Sequence, residues 1–205
     1  MDKILTFNPK TLEKQLIKLS HKQQVLFAVS CCERLFPNYV AFSQIEKWGD
    51  PQILRQALDE IWHFLVGNSF SLEKIKDLKR KCNKVIPKPE DFDSIYTSSA
   101  LDAGVSVAET LTCCHKKDTK RIVGIASLCR DTVDMFIQLR DDMEAFIPPN
   151  LAFEEKILRD PLMIRELQKQ QKDIDFLINC KEINLSTISD FRETVLFNGK
   201  SNIDL

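Results

Sequence analysis

The sequence predicts an all-α protein: a single compact bundle of about eight helices with no significant β-sheet. Apolar residues recur at helical spacing in almost every segment, and no stretch of useful length alternates with period two. Capping residues stand in front of those segments. Glycine is scarce, 5 of 205 residues, against a usual share of roughly 7%. With only 8 prolines besides, the chain has too little turn punctuation for a sandwich or barrel.

The elements follow in order. Asn8-Pro9 is an N-cap with a first-turn proline, and Leu12, Leu16 and Leu19 then line one face. Ser20 and Gln23 form a capping box. The helix over residues 21–35 is apolar nearly all round, which marks it as central. Pro37-Asn38 is expected to break it, with a short helix over residues 39–46 beyond. Gly49-Asp50-Pro51 stops one helix and starts another, carrying Leu54, Ala57, Leu58, Ile61, Trp62 and Leu65. Ser71 caps a helix striped by Leu72, Ile75, Leu78, Cys82 and Val85.

Pro87-Lys88-Pro89 forces an extended connector through residues 90–93, the one candidate internal boundary, near 87–92. A helix over residues 96–115 buries Leu101, Val105, Ala108 and Leu111. Asp118 caps the longest helix, residues 119–146, ended by Pro148-Pro149. A short helix covers residues 151–159, and Asp160-Pro161 caps another to about residue 181. The polar middle of that helix, Lys169-Gln170-Gln171-Lys172, places it on the surface. Ser186 caps a last helix with Ile188, Phe191 and Val195 inward. Residues 1–197 read as one domain and residues 198–205 as a frayed tail.

A formal charge of −1, from 29 basic and 30 acidic residues, removes the case for a wholly basic nucleic-acid binder. Neither glycine-rich phosphate-loop pattern occurs. The first residues lack a secretory signal, and the longest apolar run, residues 25–32, is far short of the roughly 20 that span a bilayer. Seven cysteines, an odd number, fit free thiols in a reducing compartment. The expected location is cytoplasmic.

Candidate chemistry is thin. Cys31-Cys32 and Cys113-Cys114-His115 are adjacent residues pointing about 100° apart on a helix, without C-x-x-C spacing, and read as buried thiols rather than ligands. Glu60-x-x-His63 is half of a di-iron motif whose second half is missing, so it reads as a surface Glu and a partly buried His. No local signature supports a hydrolytic Ser–His or Cys–His pair, and no metal or cofactor is expected. Asp102 and Glu109 share a helix face around Val105. With Asp93 they are the candidate carboxylate site of an alternative, enzymatic or metal-binding reading.

Lys74, Lys76, Lys79, Arg80, Lys81, Lys84 and Lys88 form a locally basic helix, a second alternative as a weak phosphate-backbone contact. Charge divides unevenly: residues 1–90 hold 15 basic and 10 acidic residues, net +5, and residues 91–205 hold 14 and 20, net −6. Asp131, Asp134, Asp141, Asp142, Glu144, Glu154 and Glu155 form an acidic stretch beside Phe146 and Phe153, a candidate surface for a basic protein partner.

Several motifs occur together: Cys32-Glu33-Arg34-Leu35-Phe36-Pro37-Asn38-Tyr39, Trp48-Gly49-Asp50, Leu58-Asp59-Glu60-Ile61-Trp62, Ile86-Pro87, Asp91-Phe92-Asp93 and Ala100-Leu101-Asp102-Ala103. In order and spacing this resembles the YjaG-like family of bacterial proteins, a catalogued domain of unknown function, over roughly residues 20–195. The resemblance implies an all-helical cytosolic bacterial protein and no reaction. At the matching positions Glu33, Arg34, Asn38, Tyr39, Asp59, Trp62, Asp93 and Asp102 are polar or aromatic residues within apolar helices. They are expected to form a buried polar network, with Arg34 on a carboxylate, or to line a pocket. The function expected is that of a non-enzymatic interaction protein, in concrete form an immunity or antitoxin-type protein covering a basic toxin such as a nuclease. Homo-oligomerisation is left open, and a membrane role is not expected.

Overall fold

The computed structural model describes residues 4–141, 151–180 and 182–205. Among these the elements are α1 (Pro9–Ile17), α2 (His21–Glu46), α3 (Pro51–Leu65), α4 (Leu72–Lys84), a 3₁₀ turn (Pro89–Asp91), α5 (Thr97–His115), α6 (Thr119–Arg140), α7 (Leu151–Arg159), α8 (Pro161–Asn179) and α9 (Leu185–Glu193). No strand occurs among the described residues, apart from one isolated bridge between Phe197 and Lys200. The protein is all-α, as its spacing and caps dictate.

The caps operate as read. Asn8, Ser20, Asp50, Ser71, Asp118 and Asp160 each accept a first-turn N–H through the side chain, and Ser20 and Gln23 close the reciprocal box. The last helix differs: Asn184, not Ser186, accepts the Thr187 N–H.

α2 is the central helix, packed on α3, α5, α6 and α8. It is long and apolar enough to cross a membrane, yet 78% of that window is covered by the rest of the fold. Pro37 does not break it. A proline inside a helix costs roughly 3 kcal/mol through its missing N–H and ring clash. The turn beyond it offsets this by burying Tyr39 and Phe42 completely. Phe42 joins Trp48 and Phe92 in an edge-on aromatic cluster with centroids 5.1–6.2 Å apart. The Tyr39 hydroxyl donates to the Val85 carbonyl at 2.6 Å and accepts the Asp50 N–H at 3.3 Å. Gly49 sits at φ +80°, and a Cβ there would stand 2.3 Å from the Tyr39 hydroxyl, so glycine is required twice over.

The connector at residues 87–92 does not separate two cores. One cluster holds Leu54, Ile75 and Leu78 before it together with Val107, Leu111 and Ile125 after it. A smaller cluster, Val133, Ile137, Ile157, Leu162, Met163, Leu167 and Ile203, lies under α6, α7 and α8. The part of the 119–146 helix beyond residue 141 lies outside the described residues, as do Phe146 and Pro148-Pro149; α6 runs to Arg140.

Two expectations fail for one reason. The polar middle of α8 does not all lie on the surface: Gln171 and Lys172 are exposed as read, but Gln170, with Glu166 and Asp173, is buried. The tail is not frayed: Ser201, Asn202 and Ile203 are buried. Asn198 and Gly199, at φ 54° and 83°, reverse the chain, and Arg165 lies 4.3 Å over the Phe197 ring. In both places polar residues face inward because polar groups on α2 await them.

Candidate functional site

The polar residues of α2 reach out in several directions. Arg34, fully buried, donates through Nε and Nη2 to Glu166 at 3.0–3.3 Å and through Nη1 to Asp173 at 3.0 Å. Ser30 also donates to Asp173, Lys169 pairs with it, and Gln170 bridges Glu166 to the Ala126 carbonyl. Two cations and two carboxylates thus balance. Burial alone would push the guanidinium pKa down, but Glu166 and Asp173 hold it well above its ordinary value. The expected carboxylate for Arg34 is therefore present twice, on α8. Spacing could not reveal it, since the partners stand 132 and 139 positions further along the chain.

Glu33, one residue earlier, points elsewhere. It takes both Arg55 nitrogens at 2.7–2.8 Å and the Trp62 indole N–H at 2.7 Å. Asp59 accepts from Arg55 and Arg192, and Arg192 lies 4.9 Å over the Trp62 ring. Asn38 donates to Asn202 at 3.0 Å, and Asn202 donates to the Cys129 carbonyl at 3.0 Å. The expected network is thus several separate clusters that lock α2 to α3, α8 and the tail. Asp93 belongs to none of them: it is exposed.

The carboxylate trio does not assemble. Asp102, 8% exposed, accepts from Thr132 at 2.7 Å, and burial raises its pKa to about 6. Glu109 is held by Lys79 and Arg121. Among the described residues no group of three His, Cys, Asp or Glu stands ready for a metal ion. All seven cysteines are free thiols, six of them buried. Burial pushes Cys32, Cys82 and Cys113 up to about 12, away from thiolate chemistry. Glu60 pairs with Lys74, and His63 is exposed rather than partly buried. On the basic helix, Lys79, Arg80 and Lys81 also have carboxylate partners.

The acidic stretch is largely paired within itself. Asp131 and Asp134 share Arg130, Asp141 takes Arg140 and Lys156, and Glu155 takes Arg159. Arg140 and Lys156 hold the Asp141 carboxyl down at about 2. Asp142 and Glu144 lie outside the described residues. Phe153 is half-buried rather than exposed.

What the stretch does frame is a groove of about 360 Å³, where Thr6 and Phe7 meet α6, α7 and α8. Phe7, Phe153, Leu158 and Leu167 give it an apolar floor. Arg130, Asp134, Gln138 and Glu154 supply its polar groups. Asp134 is fixed by Arg130 at 3.0 Å and Gln138 at 2.6 Å, whereas Glu154 is exposed. The Arg130 Nε is buried and has no hydrogen-bond partner among the described residues. Among the described residues, Asp134 and Glu154 of the sequence-predicted acids line the groove, and its apolar floor went unread because Phe7 and Leu167 are far apart in sequence.

A family model described as "Protein of unknown function (DUF416)" matches residues 11–205. The "Uncharacterized protein YjaG" of Escherichia coli (strain K12) is 28% identical over 192 residues, covering 93% of this chain and 94% of that one. An uncharacterized protein of Haemophilus influenzae is 24% identical over 196 residues, 95% and 96% of the two chains. The crystal structure of a DUF416 family protein from Shewanella baltica OS155 superposes with a TM-score of 0.83 at 26% identity, covering 94% of this chain and 97% of that one.

Proposed function

Since the chain belongs to the DUF416 family of proteins of unknown function, whose membership carries no reaction with it, we propose from its own geometry that it is a non-enzymatic interaction protein. The observation that carries this reading is the groove between α6 and α7: an apolar floor beside an exposed carboxylate, Glu154, and a fixed one, Asp134. A concave apolar site with a few placed polar groups is what a protein segment with one bulky apolar anchor and a neighbouring Lys or Arg requires. The internal ion pairs along residues 130–160 favour this local docking over capture by a broad acidic face. An immunity or antitoxin-type role is the concrete form, with a basic toxin presenting the anchoring segment. The free thiols support a reducing, cytoplasmic setting.

The test is photo-crosslinking in the native cell. A benzoylphenylalanine at Glu154 should link to one protein partner, and the same group at Glu73 on α4 should not. Absence of any adduct at position 154, with adducts elsewhere on the surface, contradicts the reading.

A further inference from the structure

We propose that two copies of this chain associate through the outer face of the α5–α6 hairpin. The α6 helices run antiparallel about an axis beside Gly124, and Lys120 of each copy pairs with Asp131 of the partner subunit. Lys120, Gly124, Leu128, Asp131 and Met135 recur every three or four residues and so form one stripe of α6. The core side of the helix is a different set, Ile122, Ile125, Ala126, Cys129 and Val133, all buried. Along the stripe Met135 is 42% exposed and Leu128 is half-buried, with half-buried Val105 of α5 beside Leu128. Val105, Gly124 and Leu128 line a shallow depression edged by Lys120 and by the ion-paired Glu109, Arg121 and Asp118. A Cβ built on Gly124 meets nothing within 4 Å, so a second helix can approach closely there.

Charge selects the occupant. Lys120 is exposed and has no ion-pair partner among the described residues. At the other end Asp102 has Thr132 as its donor and no cation, and Asp131 shares Arg130 with Asp134. One end of a single stripe thus has a spare cation and the other spare carboxylate. Such a face complements itself when turned about a two-fold axis, as an isologous interface requires. Lys120 and Asp131 stand about 16 Å apart along the helix, at 1.5 Å per residue. Their midpoint falls one to two residues from Gly124, so antiparallel packing brings each onto the other. The groove lies on the adjoining flank of α6, at Arg130, Asp134 and Gln138, and Arg130 joins the two through its ion pair with Asp131. This inference does not depend on what fills the groove.

The test is sedimentation velocity of the full chain across the micromolar range. The expected parent species has twice the 23.7 kDa chain mass. Lys120→Asp and Asp131→Lys should each weaken association by about tenfold or more, and the double swap should restore it. Leu128→Arg should give a monomer with unchanged helical circular dichroism. A monomeric parent overturns the proposal, as do single reversals without effect or a double swap no tighter than the singles.

Discussion

Arg34 sits where a charge is most expensive, fully buried in the central helix, and two carboxylates, Glu166 and Asp173, make it tolerable. Removing it leaves Glu166 buried without a cation and Asp173 with Lys169 alone. Arg34→Ala should therefore cost about 3–5 kcal/mol, read as a lowered urea midpoint. Replacing Arg34 and Glu166 together by apolar residues should cost less, because Asp173 keeps Lys169 and no unpaired charge remains. Asp102 is the reverse case. Burial raises its pKa from an ordinary 3.8 to about 6, so the folded state holds the proton more tightly than the unfolded chain. Stability should accordingly fall as pH rises from about 4 to about 6. Asp102→Asn keeps the Thr132 hydroxyl supplied with an acceptor. It should flatten that slope and raise the melting temperature at pH 7, by the equivalent of at most about 3 kcal/mol. A pH series of melting curves on both chains checks this; an unchanged slope contradicts it. That Arg34 needs a carboxylate was legible at Arg34 itself. Which carboxylates answer was not, because pairing across 132 residues leaves no local trace.

At the scale of elements, helix starts were legible because capping is local chemistry: a side chain and an N–H two or three residues apart. Pro37 misled because its cost of roughly 3 kcal/mol is local, while the burial of Tyr39 and Phe42 that offsets it is not. The buried stripe of α8 includes Glu166, Gln170 and Asp173 at helical spacing, but hydrophobicity is blind to a stripe made of polar residues. The tail did carry a signal, since Asn198-Gly199 is a turn dipeptide rather than a fraying end. Asn202 then hydrogen-bonds to Asn38, to the Cys129 carbonyl and, through its own N–H, to the Arg34 carbonyl. Asn202→Ala should cost about 1–3 kcal/mol by stranding buried partners. Exposed Asp204 offers the control: Asp204→Asn suits its left-handed backbone at φ 68°, removes only a surface ion pair with Arg165 and should shift the urea midpoint little.

Across the whole molecule, the polar residues divide by what they serve. Glu33, Arg34, Asn38, Tyr39 and Trp62 fasten α2 to its neighbours and face no groove described here. The groove instead draws on residues from the start of the chain, α6, α7 and α8, resting on the smaller core of Val133, Ile157 and Met163. Pairing of α6 through the adjoining stripe would set two such grooves on one particle, and a partner with two anchoring segments would gain avidity from it. The acidic composition of the second half pointed to this region but overstated the charge available, because Arg130, Arg140 and Arg159 neutralise most of it in place. The most direct measurement is selection of peptides from a displayed random library on the immobilised full chain, followed by affinities for Phe153→Ala and Glu154→Lys. The account predicts enriched peptides that combine a bulky apolar residue with a nearby Lys or Arg, bound at least about tenfold more weakly by both variants. Peptides bound equally by parent and variants, or no enrichment at all, would contradict it.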